Sequence, residues 1–394
     1  MAIKRFVILI VSLFASLTII ASNVNVSVLT CSPGDEIYSL FGHTGLRYKN
    51  DDKGIDVVFS YGYFDFESPN FVWRFILGKT DYIVGAVPYE IFMDEYEKRG
   101  AVVVEQVLEL TPGQEQQLFD IIAFNCRPEN RKYRYNYFYN NCTTKIRDQI
   151  SRVSDGVSYV DDAKSGNLTF RDELRRLTSA HPWYSFGIDL LLGAEVDKPA
   201  TVRELQFIPG NFQRTLEEAV VVSENGEVIP FVKEQTELSV ESENLIVSIE
   251  SRFTPFYVSI LLLLFTFIVM LCEVRTKKTF WLFDAILMSL QGLGGVLLLF
   301  MALFSQHPAV DNNWVILLVN PVMLFVMPVY VNKLRNYRTM SIAWVQVVLV
   351  VLFFLSAIAS LQVYPTPIYF CALALLVRSL FNIYKEKICD LNPC

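Results

Sequence analysis

Two short stretches hold residue types that could do acyl chemistry: Phe41-Gly42-His43-Thr44-Gly45 and Tyr139-Asn140-Asn141-Cys142-Thr143-Thr144. A histidine and a cysteine make a base and a thiol nucleophile only if the fold brings them together. The His43 segment reads as a small-residue turn running into an alternating stretch, Thr44 to Tyr48, which predicts a half-buried strand holding the imidazole. Cys142 follows an aromatic extended run, Tyr133 to Tyr139, and precedes Thr143 to Ile150, where Ile146 and Ile150 share a helix face. The thiol is therefore expected at a helix N-terminus. Free backbone N–H groups and partial positive charge there favour thiolate and can hold an oxyanion. The plain alternative is a packing residue, because free cysteine is among the most buried side chains.

A third group would orient His43 through its other ring nitrogen. The strand after His43 offers Tyr61 and Asp65, with Glu67 beyond them; as ordinary structure, Tyr61 is a core aromatic and Asp65 a turn residue. Asn140 and Asn141 are candidate oxyanion donors, or turn formers ahead of the helix. Arg131 and Arg134 could bind a phosphate headgroup, or line a solvated loop.

The elements that must position these groups read as strands over 24–30, 43–48, 57–63 and 102–110, with helices over 114–124 and 143–153. Beyond about residue 155, helices are expected over 168–177 and 199–222, an apolar stretch over 187–192, and short strands over 226–230 and 245–249. This is α+β material, taken as one domain over 24–250 with a helical extension packed on the catalytic core.

Hydrophobic residues make up 52% of the 394-residue chain and mean hydropathy is positive, which places part of the chain in a membrane. Met1 to Arg5 followed by apolar Phe6 to Ile20 and small residues near Ala21-Ser22 reads as a signal peptide over 1–22, cleaved or kept as an anchor. Five apolar runs follow, near 256–272, 281–304, 314–331, 342–361 and 366–383, each about the 20 residues that cross a bilayer. Arg275, Lys277 and Lys278 follow the first run, Lys333, Arg335 and Arg338 the third, Lys385 and Lys387 the fifth; the other two connections carry no Lys or Arg. By the positive-inside rule those three ends are cytoplasmic, so everything before the first run is extracytoplasmic and the C-terminus is inside.

Of 34 Lys/Arg and 41 Asp/Glu, ten and five lie beyond residue 251, so the first 251 residues carry 24 against 36, near −12. An acidic surface argues against nucleic acid as partner. Neither a glycine-rich phosphate loop nor zinc-type cysteine spacing occurs, so neither metal nor cofactor is expected. Four of the seven cysteines fall in or beyond the membrane runs, leaving Cys31, Cys126 and Cys142 outside. A Cys31–Cys126 disulfide is compatible with that compartment and would leave Cys142 free.

The loop Ser305 to Trp314 lies on the side of the exported domain. Its His307 could touch lipid or the catalytic domain, or merely cap a turn. Asn320-Pro321 in the third run is odd, since an unpaired amide in hydrocarbon costs free energy; Asp284 and Gln291 in the second run share the problem.

The order strand-histidine, then helix-cysteine, is similar to the circularly permuted papain-like arrangement of NlpC/P60 and lecithin:retinol acyltransferase relatives. The chain as a whole resembles the Lnb-type lipoprotein N-acyltransferases. The resemblance is carried by Cys31-Ser32-Pro33-Gly34-Asp35-Glu36 with Phe41-Gly42-His43-Thr44, by Tyr61-Gly62-Tyr63-Phe64-Asp65-Phe66 with Phe75-Ile76-Leu77-Gly78-Lys79, by Tyr135 to Thr144, and by Ser305-Gln306-His307-Pro308. It implies an exported thiol domain fused to five spans in the inner membrane. It also implies the reaction: Cys142, with His43 as base, takes an acyl chain from a phospholipid and passes it to the α-amino group of a diacylglyceryl-cysteine lipoprotein. A membrane-tethered peptidase acting on peptidoglycan and a non-enzymatic lipid-binding or assembly protein are the alternatives from other classes.

Overall fold

The structure is a computed structural model that describes residues 24–36, 39–64, 70–154, 157–159, 166–223, 225–239, 253–336 and 340–391. The signal-peptide expectation over 1–22, Asp65, Glu67 and the strand expected over 245–249 lie outside those residues.

Branched and aromatic residues alternating with polar ones build an antiparallel seven-stranded sheet. Its strands are β1 (Val24–Cys31), β2 (His43–Asn50), β3 (Ile55–Phe64), β4 (Asp81–Pro88), β5 (Val103–Leu108), β6 (Lys132–Arg134) and β9 (Val232–Glu237). Their order is β6-β4-β3-β2-β1-β5-β9, and β7 (Val220–Val222) pairs with β8 (Val228–Pro230) in a separate hairpin. Side chains on successive residues leave opposite faces, so the sheet has two cores. Helices α3 (Pro112–Asn125), α4 (Cys142–Val153) and α8 (Pro209–Glu217) cover the face of Val28, Leu46, Phe59 and Tyr61. Helix α2 (Tyr89–Lys98) covers the face of Leu29, Cys31 and Val58 with Phe92, Met93 and Tyr96.

Those two faces overturn the Cys31–Cys126 disulfide. Cys31 is buried under α2, Cys126 packs against the other core, and both thiols are free. The helix expected over 199–222 is also replaced, by α7 (Val202–Leu205), α8 and β7. Pro209 has no N–H to continue a helix, and it starts α8 instead. Of the aromatic run only Tyr133-Arg134 is strand, the end of β6; Asn136 and Asn140 then exchange backbone hydrogen bonds of 3.2 and 3.0 Å across a turn. Strands β4 and β9, helix α2 and the short helix α1 (Phe71–Ile76) are not among the elements expected from the sequence.

The segment after residue 166 forms α5 (Phe170–Leu177) and α6 (Pro182–Leu191), which surround a second apolar cluster with Phe138, Phe170, Leu192, Phe207 and Ala309. Arg171 is its polar centre. Its guanidinium bonds Asp189 at 2.8 Å, Asp197 at 2.5 Å and the carbonyl of Gly193 at 2.9 Å, so this buried cation is fully partnered.

Among the described residues, five helices are long and apolar enough to cross a membrane: Pro255–Thr276, Trp281–Phe304, Trp314–Arg335, Ser341–Ile358 and Thr366–Ile388. They are built on α9 (Pro255–Thr276), α10 (Trp281–Phe304), α11 (Val322–Arg335), α12 (Met340–Ile358) and α13 (Thr366–Leu391). The third is broken: a turn over Trp314–Leu317 gives way at Asn320-Pro321 to α11, and Asn320 Oδ1 accepts from Val322 N at 3.0 Å. The amide that looked costly thus satisfies a helix end. The break lies against α10, where a Cβ on Gly295 would stand 2.3 Å from Pro321 N. Gln291 donates to Leu318 O at 2.5 Å and accepts from Gln346 at 3.1 Å. Asp284 shares Arg378 with Glu273, and Lys385 completes a charge-balanced buried network.

Candidate active site

Cys142 is the first residue of α4. Asn141 caps the helix: its Oδ1 accepts from Thr144 N at 2.9 Å, while Thr144 Oγ1 accepts from Asn141 N at 2.8 Å. Asn141 Nδ2 donates to the carbonyls of Tyr137 (2.9 Å) and Phe207 (2.7 Å). Both Nδ2 hydrogens are thereby used, so the side chain has no donor left for an oxyanion. Asn140 Nδ2 donates to Arg134 O at 2.6 Å, which uses one of its two N–H groups.

The sulfur is buried, and burial pushes the thiol above its ordinary pKa. The backbone of Thr44, the Thr143 hydroxyl at 3.8 Å, and the backbone of Thr143 and Cys142 all hydrogen-bond it and oppose that rise. The expectation of a thiolate fails because desolvation outweighs the helix end. What surrounds the sulfur is a set of backbone N–H groups, those of Cys142 and Thr143 from the helix end and that of Thr44 from β2.

His43 opens β2 opposite Cys31, and the strand alternation turns its ring toward α2, where it stacks on Tyr96 with centroids 6.2 Å apart and planes 12° from parallel. Burial, then the nearby Arg99 charge, lowers its pKa to about 4, so the ring is neutral at neutral pH. Its neighbour Thr44 faces the other way and meets α4: Thr44 Oγ1 lies 3.0 Å from Thr143 Oγ1. The start of β2 thus lies between the two candidate groups: His43 turns to α2, while Thr44 meets Thr143 and, through its backbone, the Cys142 sulfur. Among the described residues, no hydrogen bond links the ring to Sγ in this resting arrangement. Two glycines shape this corner. Gly42 has φ +77°, and a Cβ on it would stand 2.5 Å from the Cys31 carbonyl oxygen; Gly62 favours glycine by its φ of +103° rather than by space, since a Cβ there would only touch Tyr135 and Cys142 at 3.7 and 3.8 Å.

Tyr61 lies in the core under α3 and α4, its hydroxyl accepting from Asn125 Nδ2 at 2.8 Å, on the face away from His43. Tyr96 is the aromatic that contacts the imidazole, and it also hydrogen-bonds Cys31. It is not among the residues expected from the sequence, because the contact depends on strand pairing.

Arg134 is paired with Asp81 at 2.9 Å and reaches Gln306 Oε1 at 3.0 Å, whereas Arg131 is exposed. His307 Nε2 lies 2.8 Å from Phe75 O, and its ring is 6.0 Å from Tyr137. Burial lowers its pKa, with the Phe75 carbonyl opposing, so the neutral ring donates to that carbonyl. Leu77 O accepts from Gln306 N at 2.8 Å, and Gly78, at φ +63°, lets the Gln306-His307 backbone come within 2.5 Å of where its Cβ would be. The stretch 305–307 thus clasps α1. Tyr137 and Tyr135, 5.5 Å apart, continue the contact toward Cys142.

A family model described as the Lnb N-terminal periplasmic domain matches residues 15–179, and one described as the Lnb transmembrane domain matches residues 247–388. Neither a comparison with curated proteins nor one with solved structures found a match. With both models matched in order, the chain belongs to the Lnb family, a multi-pass membrane protein whose periplasmic α+β domain precedes five transmembrane helices.

Proposed function

We propose that the chain is a cysteine-dependent lipoprotein N-acyltransferase of the inner membrane, with Cys142 as nucleophile and His43 as base. The observation that carries this reading is the position of Cys142: first residue of α4, ringed by backbone N–H groups, beside the residue that follows His43, in a domain clasped by the loop of a five-span module. As substrate enters, the imidazole turns from its stack on Tyr96 and takes the Sγ proton. Sulfur then attacks an ester carbonyl of a phospholipid, and the N–H groups of Thr44 and Thr143 hold the oxyanion. Collapse releases the lysophospholipid, which takes the proton from His43, and leaves an acyl thioester on Cys142. The α-amino group of a diacylglyceryl-cysteine attacks that thioester and gives its proton to His43. The amide forms, the thiolate leaves, and His43 reprotonates it.

Tyr96 holds the resting imidazole, a role that the stack supports better for it than for Tyr61. The exposed Arg131 is free to meet a lipid phosphate, while Arg134 and His307 hold the loop against α1, and Asn140 and Asn141 build the turn before the thiol. Mass spectrometry of lipoprotein N-termini tests the reading in cells deleted for this gene and for any second N-acyltransferase. Triacyl forms should return with the wild-type chain and stay absent with Cys142→Ala; their return with Cys142→Ala would remove the mechanism.

A further inference from the structure

We propose that the periplasmic domain is seated in the membrane itself, with α1 through Trp73 and α6 through Trp183 and Tyr184 dipping into the phospholipid of the outer leaflet. The inference rests on the five spans and not on the acyl-transfer reading.

Helix α6 has ten residues, about 15 Å of helix, half of the roughly 30 Å needed to cross hydrocarbon. Its only charge, Asp189, is turned inward to Arg171 at 2.8 Å and Arg175 at 2.7 Å. The outward side shows Trp183 and Tyr184, 46% and 41% exposed. Such a helix in water would leave bare apolar surface, but at an interface it is an amphipathic anchor. What surrounds it names the occupant. Trp183 Nε1 donates to Phe253 O at 2.7 Å, two residues before the first span begins at Pro255. Leu190 and Leu191 pack into the core of the membrane domain, and Asn313 Nδ2 donates to Leu190 O at 2.7 Å. Helix α6 is therefore laid across the outer ends of the spans.

The second anchor belongs to α1. Trp73 is 55% exposed, and its ring lies 5.6 Å from Phe300 on α10. Phe300 stands one turn inside the outer end of its span at Phe304, about 6 Å along the axis. An indole at that depth meets the headgroup and upper acyl region, where tryptophan and tyrosine are enriched.

The test uses the full wild-type chain in phosphatidylcholine bilayers doped with a phosphatidylcholine whose acyl chain carries a diazirine just below the glycerol. Photolysis and peptide mapping should place adducts on residues 71–77 and 182–191 as well as on the span ends. Adducts confined to residues 253–391 would overturn the proposal. A second reading uses bilayers brominated at the same depth: Trp73→Phe and Trp183→Phe should each lower the quenched fraction of tryptophan emission. A quenched fraction that neither replacement changes would contradict the seat.

Discussion

Thr44 Oγ1 lies 3.0 Å from Thr143 Oγ1, a buried contact between residues 99 positions apart, and it ties the strand start after His43 to the helix start after Cys142. Thr44→Val removes one hydroxyl and leaves its partner with only the sulfur at 3.8 Å. The expected cost is about 1 kcal/mol, read as a lower unfolding midpoint in detergent. A midpoint unchanged from wild type would show that this contact holds nothing.

The His43 pKa of about 4 lies below its ordinary 6.5, so the folded chain keeps neutral a ring that the unfolded chain protonates. Its share of stability is fully present above about pH 6.5 and is lost as pH falls toward about 4. Unfolding midpoints measured across that window should drop more steeply for wild type than for His43→Gln, which cannot titrate. Parallel curves would contradict the buried neutral imidazole.

Gly42 and Gly54 both have positive φ, +77° and +61°, but only Gly42 is crowded, its absent Cβ falling 2.5 Å from the Cys31 carbonyl. Gly42→Ala should cost about 1–3 kcal/mol and displace His43. Gly54→Asn, in open space and tolerant of that φ, should be close to neutral. Paired thermal melts and acyltransfer rates check the contrast, and equal losses would refute it.

Arg378 holds Glu273 at 2.9 Å and also bonds Asp284 inside the helix bundle. Arg378→Met leaves two carboxylates facing one lysine, so folding stability should fall by about 3–5 kcal/mol. Size-exclusion yield of the full chain in mild detergent reports this. A yield equal to wild type would mean that the network is dispensable.

Much of this was legible before the fold was seen. The spans followed from apolar length and the placement of Lys and Arg, which act locally in sequence. Cys142 at a helix start followed from Ile146 and Ile150 and the asparagines before them. The thiol's pKa direction was not legible, because it depends on burial beneath the sheet, a tertiary quantity. Helix α2 was itself legible, since Tyr89, Phe92, Met93 and Tyr96 fall at i, i+3, i+4 and i+7; the contact of Tyr96 with the imidazole was not, because it depends on the pairing of Cys31 with His43, which turns the ring toward that helix. Asn320-Pro321 looked like a functional anomaly, but the glycines at 292 and 295 reveal a close helix contact at a broken span.

The central claim is that Cys142 carries the acyl group. Intact-mass analysis of the purified full chain, incubated with phosphatidylethanolamine and no acceptor, tests it most directly. The account predicts one added acyl chain, mapped to Cys142, released by hydroxylamine or by a diacylated lipopeptide, and absent from Cys142→Ala. An adduct that persists in Cys142→Ala, or lipopeptide N-acylation at the wild-type rate by that variant, would contradict it.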